Sequence, residues 1–187
     1  MSYNDQLTAE DTSFQDVIHE LLFTDTIPEV KKVLPEILMV SSYSPRECGI
    51  ATYSQDLITA IRKKYGESFK ITVCALEADD QHHNYSADVK YVFNTADSNR
   101  YLSMALAINR DTAVNLILIQ HEFGFFSNQE ELFTEFVKNI FKPVVIVFHT
   151  VLPRPDEKRK LYVQKIVNLA QSIIVMTNSS AEILIRD

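Results

Sequence analysis

The chain predicts an α/β fold: a doubly wound, mainly parallel, Rossmann-like sheet with helices on both faces and an added N-terminal helical arm. Three observations predict it. Apolar runs at 37–42, 114–120 and 144–148 lack polar alternation, the pattern of strands buried on both faces. Segments with helical spacing of apolar residues fall between these runs in regular order. The chain has 187 residues, 46% of them hydrophobic and 23% charged, so it can bury a sizeable core without disulfides or metal.

The elements follow in order. In the first 35 residues, Phe14, Val17, Ile18, Leu21 and Leu22 keep helical spacing, and Pro28 opens a second short helix. We read 1–35 as an arm on a domain spanning 36–187. Strand 37–42 (ILMVSS) opens that domain. A helix over 50–65 turns Ile50, Leu57, Ile58 and Ile61 inward and stops at Gly66. A strand at 69–76, a polar loop at 79–87 and a short strand at 89–93 come next. A helix over 97–109 carries Tyr101, Leu102, Ala105 and Ile108 on its inner face. Strand 114–120 (VNLILIQ) leads to a helix over 129–140 with Leu132, Phe133, Phe136, Val137 and Ile140. Strand 144–148, a helix over 155–170, a strand at 172–176 and a helix opening at Ser179 complete the alternation.

Charge and composition narrow the function. With 18 basic and 25 acidic residues the net charge is −7, and no basic block stands out, which argues against nucleic acid as a partner. Cys48 and Cys74 show no zinc spacing and no C-x-x-C, which suits a reducing, cytoplasmic compartment. The first 20 residues are polar and acidic rather than a signal peptide, and no apolar run reaches a membrane span. Contact with the inner membrane surface stays compatible with this.

In an open parallel sheet, ligands bind beyond the carboxyl ends of the strands. That rule selects four loops: Tyr43 to Tyr53, His121 to Phe126, His149 to Pro153, and Thr177 to Ser179. They bring His121, Glu122 and His149 to one sheet edge. Gly49 sits at a strand-to-helix turn, where backbone N–H groups can face a phosphate, or where it serves only as a tight turn. For His149 the plain alternative is a core histidine bonded to a backbone carbonyl. His121 and Glu122 are strand neighbours, so they point to opposite faces and need not touch. Cys48 suits a small structural residue better than a nucleophile. Phe123, Phe125 and Phe126 suit core or a partner-facing patch better than a sugar platform.

Four segments resemble bacterial family 4 (group 1) glycosyltransferases of the GT-B fold. They are SYSPRECGIATY at 42–53 followed by Asp56 and Leu57, IQHEFG at 119–124, FHTVL at 148–152, and VMTNSS at 175–180. Their order and spacing agree from residue 36 to the end. The resemblance implies two Rossmann-like domains facing a cleft, with this chain as the N-terminal, acceptor-side domain. It implies a retaining sugar transfer from a nucleotide-sugar donor to a glycan or lipid-linked acceptor, without a metal or other cofactor. It implies His149 as the active-site histidine, His121, Glu122, Arg46 and Tyr53 on the substrate side, and Gly49 and Ile50 at the donor phosphates. The donor-binding C-terminal domain and its paired-glutamate motif would lie beyond Asp187, so this chain alone is expected to be inactive. The exposed cleft face would then allow a homodimer. Two alternatives stand beside this: a non-catalytic binding module, and half of a GT-B sugar-nucleotide epimerase.

Overall fold

The computed structural model describes residues 34–66, 68–78 and 82–186. The expected arm falls almost wholly on residues 1–33, outside the described residues. Six strands form one sheet: β1 (Glu36–Ser41), β2 (Lys70–Glu77), β3 (Val89–Asn94), β4 (Val114–His121), β5 (Val144–Phe148) and β6 (Ser172–Val175). All neighbouring strands run parallel, in the order β3-β2-β1-β4-β5-β6. This is the doubly wound Rossmann order, with its reversal point between β1 and β4.

Five helices accompany the sheet among the described residues: α1 (Gly49–Tyr65), α2 (Arg100–Arg110), α3 (Glu130–Lys138), α4 (Glu157–Leu169) and α5 (Asn178–Arg186). Strand alternation divides the core in two. Leu38 and Val40 of β1 face a large core shared with Tyr101, Met104, Phe133, Phe136, Tyr162 and Ile166 of α2, α3 and α4. Met39 faces the opposite side, where Ile58 of α1 meets Ile71, Val73 and Ala75. The helices therefore lie on both faces, as the sequence predicts.

Local chemistry sets the ends of α1. Cys48 is its N-cap, with Sγ accepting from the Ala51 N–H at 3.4 Å. Gly66 ends it at φ 55°, a left-handed conformation that favours glycine. One inner-face assignment needs correction. In α2 the buried set is Tyr101, Met104, Ala105 and Ile108, while Leu102 is 55% exposed. The stripe i, i+3, i+4, i+7 leaves no room for residue i+1. A second difference is a short 3-10 helix at Phe123–Phe126, where the sequence predicts a loop.

Far from the loops after the strands, Glu36 is buried at the start of β1. It accepts from Thr72 Oγ1 at 2.7 Å and pairs with Lys90 Nζ at 2.8 Å. A charged group at this edge is thereby satisfied within the fold.

Candidate functional site

The site forms where β1 and β4 diverge, and strand register builds it. His121 of β4 pairs with Phe148 of β5, and Gln120 pairs with Val147. Phe148 faces the large core, so His121 does too. Gln120 points to the α1 side, and His149, one past Phe148, shares that side. The two histidines thus part company by one residue of register.

His149 is half-buried. Its Nε2 meets Gln120 Oε1 at 2.8 Å. It is therefore held by a side-chain amide rather than by a backbone carbonyl. Gln120 is fully buried, and its Nε2 has no hydrogen-bond partner among the described residues. The ring of Tyr53, from the second turn of α1, meets the His149 ring edge-on with centroids 5.0 Å apart. Burial lowers the His149 pKa below the ordinary imidazole range, against an opposing pull from the Glu122 charge. The ring is accordingly neutral near pH 7. With Nε2 engaged, Nδ1 is the ring atom left for a hydroxyl.

Glu122 stands beside it. Its Oε1 accepts from the Phe123 N–H at 3.1 Å and caps the 3-10 helix. Its Oε2 accepts from Thr150 Oγ1 at 2.6 Å. The carboxylate thus ties the loop after β4 to the loop after β5, and both oxygens have a donor.

His121 does not line an open surface, contrary to the substrate-side expectation. It is fully buried among Phe123, Phe126, Phe133, Phe148 and Tyr162, with Nε2 2.9 Å from Tyr162 Oη. Its Nδ1 has no partner among the described residues. Burial drives its pKa down to about 3, with the nearby His149 adding to the effect. This is a neutral core histidine. The expected convergence of His121, Glu122 and His149 reduces to Glu122 and His149. Among the described residues, no three His, Cys, Asp or Glu side chains gather as metal ligands.

Arg46 leans elsewhere. Its Nη1 donates to the Leu76 carbonyl at 3.3 Å, and its guanidinium lies 5.8 Å from the Phe125 ring centroid. It braces the loop after β1 against the end of β2 and the 3-10 helix. Gly49, exposed, and Ile50, half-buried, form the amino end of α1, and a Cβ built on Gly49 would meet nothing within 4 Å. Nothing in the chain's own packing requires glycine there. Cys48 is taken up by capping and by a thiol hydrogen bond to Ser42 Oγ at 3.1 Å.

An alpha-glucosyltransferase in complex with UDP and a 13-mer DNA containing a central A:G mismatch is 14% identical to this chain, with a TM-score of 0.51. That match covers 76% of this chain and 37% of the other. An alpha-glucosyltransferase in complex with UDP and a 13-mer DNA containing a HMU base is 12% identical, with a TM-score of 0.48, over 76% of this chain and 38% of the other. The S. aureus homoserine dehydrogenase at pH6.0 is 14% identical, with a TM-score of 0.41, over 78% and 32%. The chain has a glycosyltransferase-like, Rossmann-type fold. At this identity the likeness shows the fold alone. No protein-family model and no curated protein matches the chain. The chain spans a little over a third of the glucosyltransferases it resembles. Among the described residues no helix is long and apolar enough to cross a membrane.

Gln120 and Thr150 are the site residues that sequence reasoning missed. Gln120 carried a signal: an amide ending the apolar run VNLILIQ needs a partner once buried. Thr150 carried none beyond its place after His149.

Proposed function

We propose that this chain is the acceptor-side half of a retaining glycosyltransferase of the family 4 type, using a nucleotide-sugar donor. The observation that carries this is the Tyr53–His149 ring contact at 5.0 Å. It joins the amino end of α1 and the β5 histidine in a single site at the sheet's reversal point, where Rossmann-type folds bind ligands. The UDP bound by the structurally similar glucosyltransferase fits a nucleoside diphosphate donor.

The residues suit the chemistry. Transfer breaks the bond from the sugar's anomeric carbon to the phosphate oxygen and forms one to the acceptor hydroxyl oxygen, whose proton passes to the leaving phosphate. Positive charge builds on the sugar ring and negative charge on the leaving phosphate. Fixed dipoles aimed at those charges lower the barrier. The N–H groups at Gly49 and Ile50, backed by the positive end of α1, suit the phosphate. Neutral His149 orients a sugar hydroxyl through Nδ1 while Gln120 fixes its ring. Glu122 places negative charge beside it and acts on the acceptor side. In this reading, donor binding by a second domain completes the reaction.

The test is sugar transfer by the complete gene product, with and without His149→Ala. Loss of an orienting or proton-handling group costs about a hundredfold or more in kcat. Undiminished turnover removes His149 from the mechanism. Epimerised nucleotide sugar formed without any acceptor overturns the transferase reading.

A further inference from the structure

We propose that the apolar cleft beside this site takes the alkyl or prenyl chain of a lipid phosphate; this rests on the transferase reading and assigns its acceptor to the lipid-linked class. The cleft runs between the loop after β5, α4 and α5. Val151, Leu152, Val163, Val167 and Leu184 line it, with Phe123 at the side of the 3-10 helix. Such a lining offers a sugar little to hydrogen-bond and suits a hydrocarbon chain.

Two further observations select the occupant. The first is continuity with the site. Thr150 lines the cleft and also donates to Glu122 at 2.6 Å, so one end of the cleft adjoins Glu122. The second is charge. In a chain of net charge −7, the cleft is edged by cations. Lys160 lines it, and Arg154 lies in the loop between the lining residues Leu152 and Pro155. Neither is in an ion pair with a described acidic side chain. Arg159 spreads over Phe123 with its guanidinium 5.4 Å from the ring centroid and pairs with Asp156 at 3.9 Å, so it adds no net charge to the edge. An apolar channel with a cationic edge fits an anionic amphiphile better than a neutral one. Placed there, the phosphate sits at the edge and the chain lies against α4.

The test is binding of decyl phosphate, below its micelle concentration, to the 187-residue chain, read by calorimetry and by methyl NMR shifts at Val163 and Leu184. Decyl maltoside and inorganic phosphate are the control probes. The expected result is saturable one-to-one binding of decyl phosphate and none of inorganic phosphate. Decyl maltoside binds about tenfold more weakly, and so does decyl phosphate to the Arg154→Glu/Lys160→Glu variant. Val163→Asp or, where that variant fails to fold, Leu152→Asp abolishes binding. No saturation, equal affinity for the neutral probe, or an unchanged affinity in the charge variant overturns the proposal. A dimer in sedimentation that Leu152→Asp dissociates also overturns it, because the occupant is then a second copy. Sugar transfer to a soluble glycan by a complete enzyme that ignores decyl phosphate sinks the cleft assignment alone. Decyl phosphate binding by an enzyme without transfer sinks the transferase reading and leaves the cleft standing.

Discussion

His121 makes the chain's stability depend on pH in a way that can be worked out from its surroundings. The folded ring is neutral down to a pKa of about 3, because it is fully buried among aromatic rings. In the unfolded chain the same ring titrates near ~6.5. The folded pKa lies below the unfolded one, so the stabilising contribution is fully present above about 6.5 and is lost as pH falls. At pH 5 the unfolded ring is mostly protonated and the folded ring is not. The difference of about 1.5 pH units, at ~1.4 kcal/mol each, is about 2 kcal/mol. By pH 4 it reaches about 3 kcal/mol on the same reckoning. The reference is the double variant His121→Phe/Tyr162→Phe. It removes both members of the 2.9 Å hydrogen bond together, so no polar atom of that pair is left buried and unpaired. Urea unfolding followed by circular dichroism at pH 8 and pH 5 gives the loss in each protein. The wild type should lose about 2 kcal/mol more than the double variant, which corresponds to an extra fall of roughly 4–8 °C in Tm. Carboxylates and the remaining histidines titrate in both proteins and cancel. An equal loss in the two proteins refutes the assignment of His121 as a neutral core histidine.

Two further predictions concern the amino end of α1. Cys48→Ala removes the cap on the Ala51 N–H and should cost about 1 kcal/mol, whereas Cys48→Ser restores a capping oxygen and should match or exceed the wild type in thermal melts. Gly49→Ala should leave stability unchanged or raise it by up to ~1 kcal/mol, because the new methyl meets nothing within 4 Å. In the complete enzyme the same methyl intrudes on the proposed diphosphate approach, so KM for the donor should rise; an unchanged KM takes Gly49 out of the donor site.

The fold was legible where burial leaves one pattern. Strands β1, β4 and β5 are inner strands, each paired on both edges and mostly buried, so their apolar runs carry no polar alternation and announce a parallel sheet. The 3-10 helix at Phe123–Phe126 was not legible, since four residues contain too little repeat to separate a turn from a loop. Leu102 was misplaced because an apolar residue beside a helical stripe looks like part of it. The site was legible in its location and less so in its membership. The sheet rule selected the loops holding Glu122, His149 and Gly49 without any side-chain geometry. Alternation also separated His121 from Glu122. It could not say which of the two faces the larger core, because that depends on which helices cover which face.

The two histidines show how the fold's interior determines its candidate chemistry. In the β4–β5 register, His121 lies opposite Phe148, and both turn toward Phe126 and Phe133. The same pairing puts Gln120 and His149 on the α1 side, where Tyr53 closes over the imidazole. A one-residue slip of β5 would set His149 opposite His121 and on the same face: His149 would enter the aromatic core and Phe148 would leave it. The aromatic cage around His121 favours the observed register, because the slipped one would replace Phe148 with an imidazole. Site geometry and core packing are one constraint here. A substitution in the cage should move the His149 ring even where it touches nothing in the site, and Phe148 is the link: it packs on His121 with ring centroids 4.9 Å apart and is joined by one peptide bond to His149.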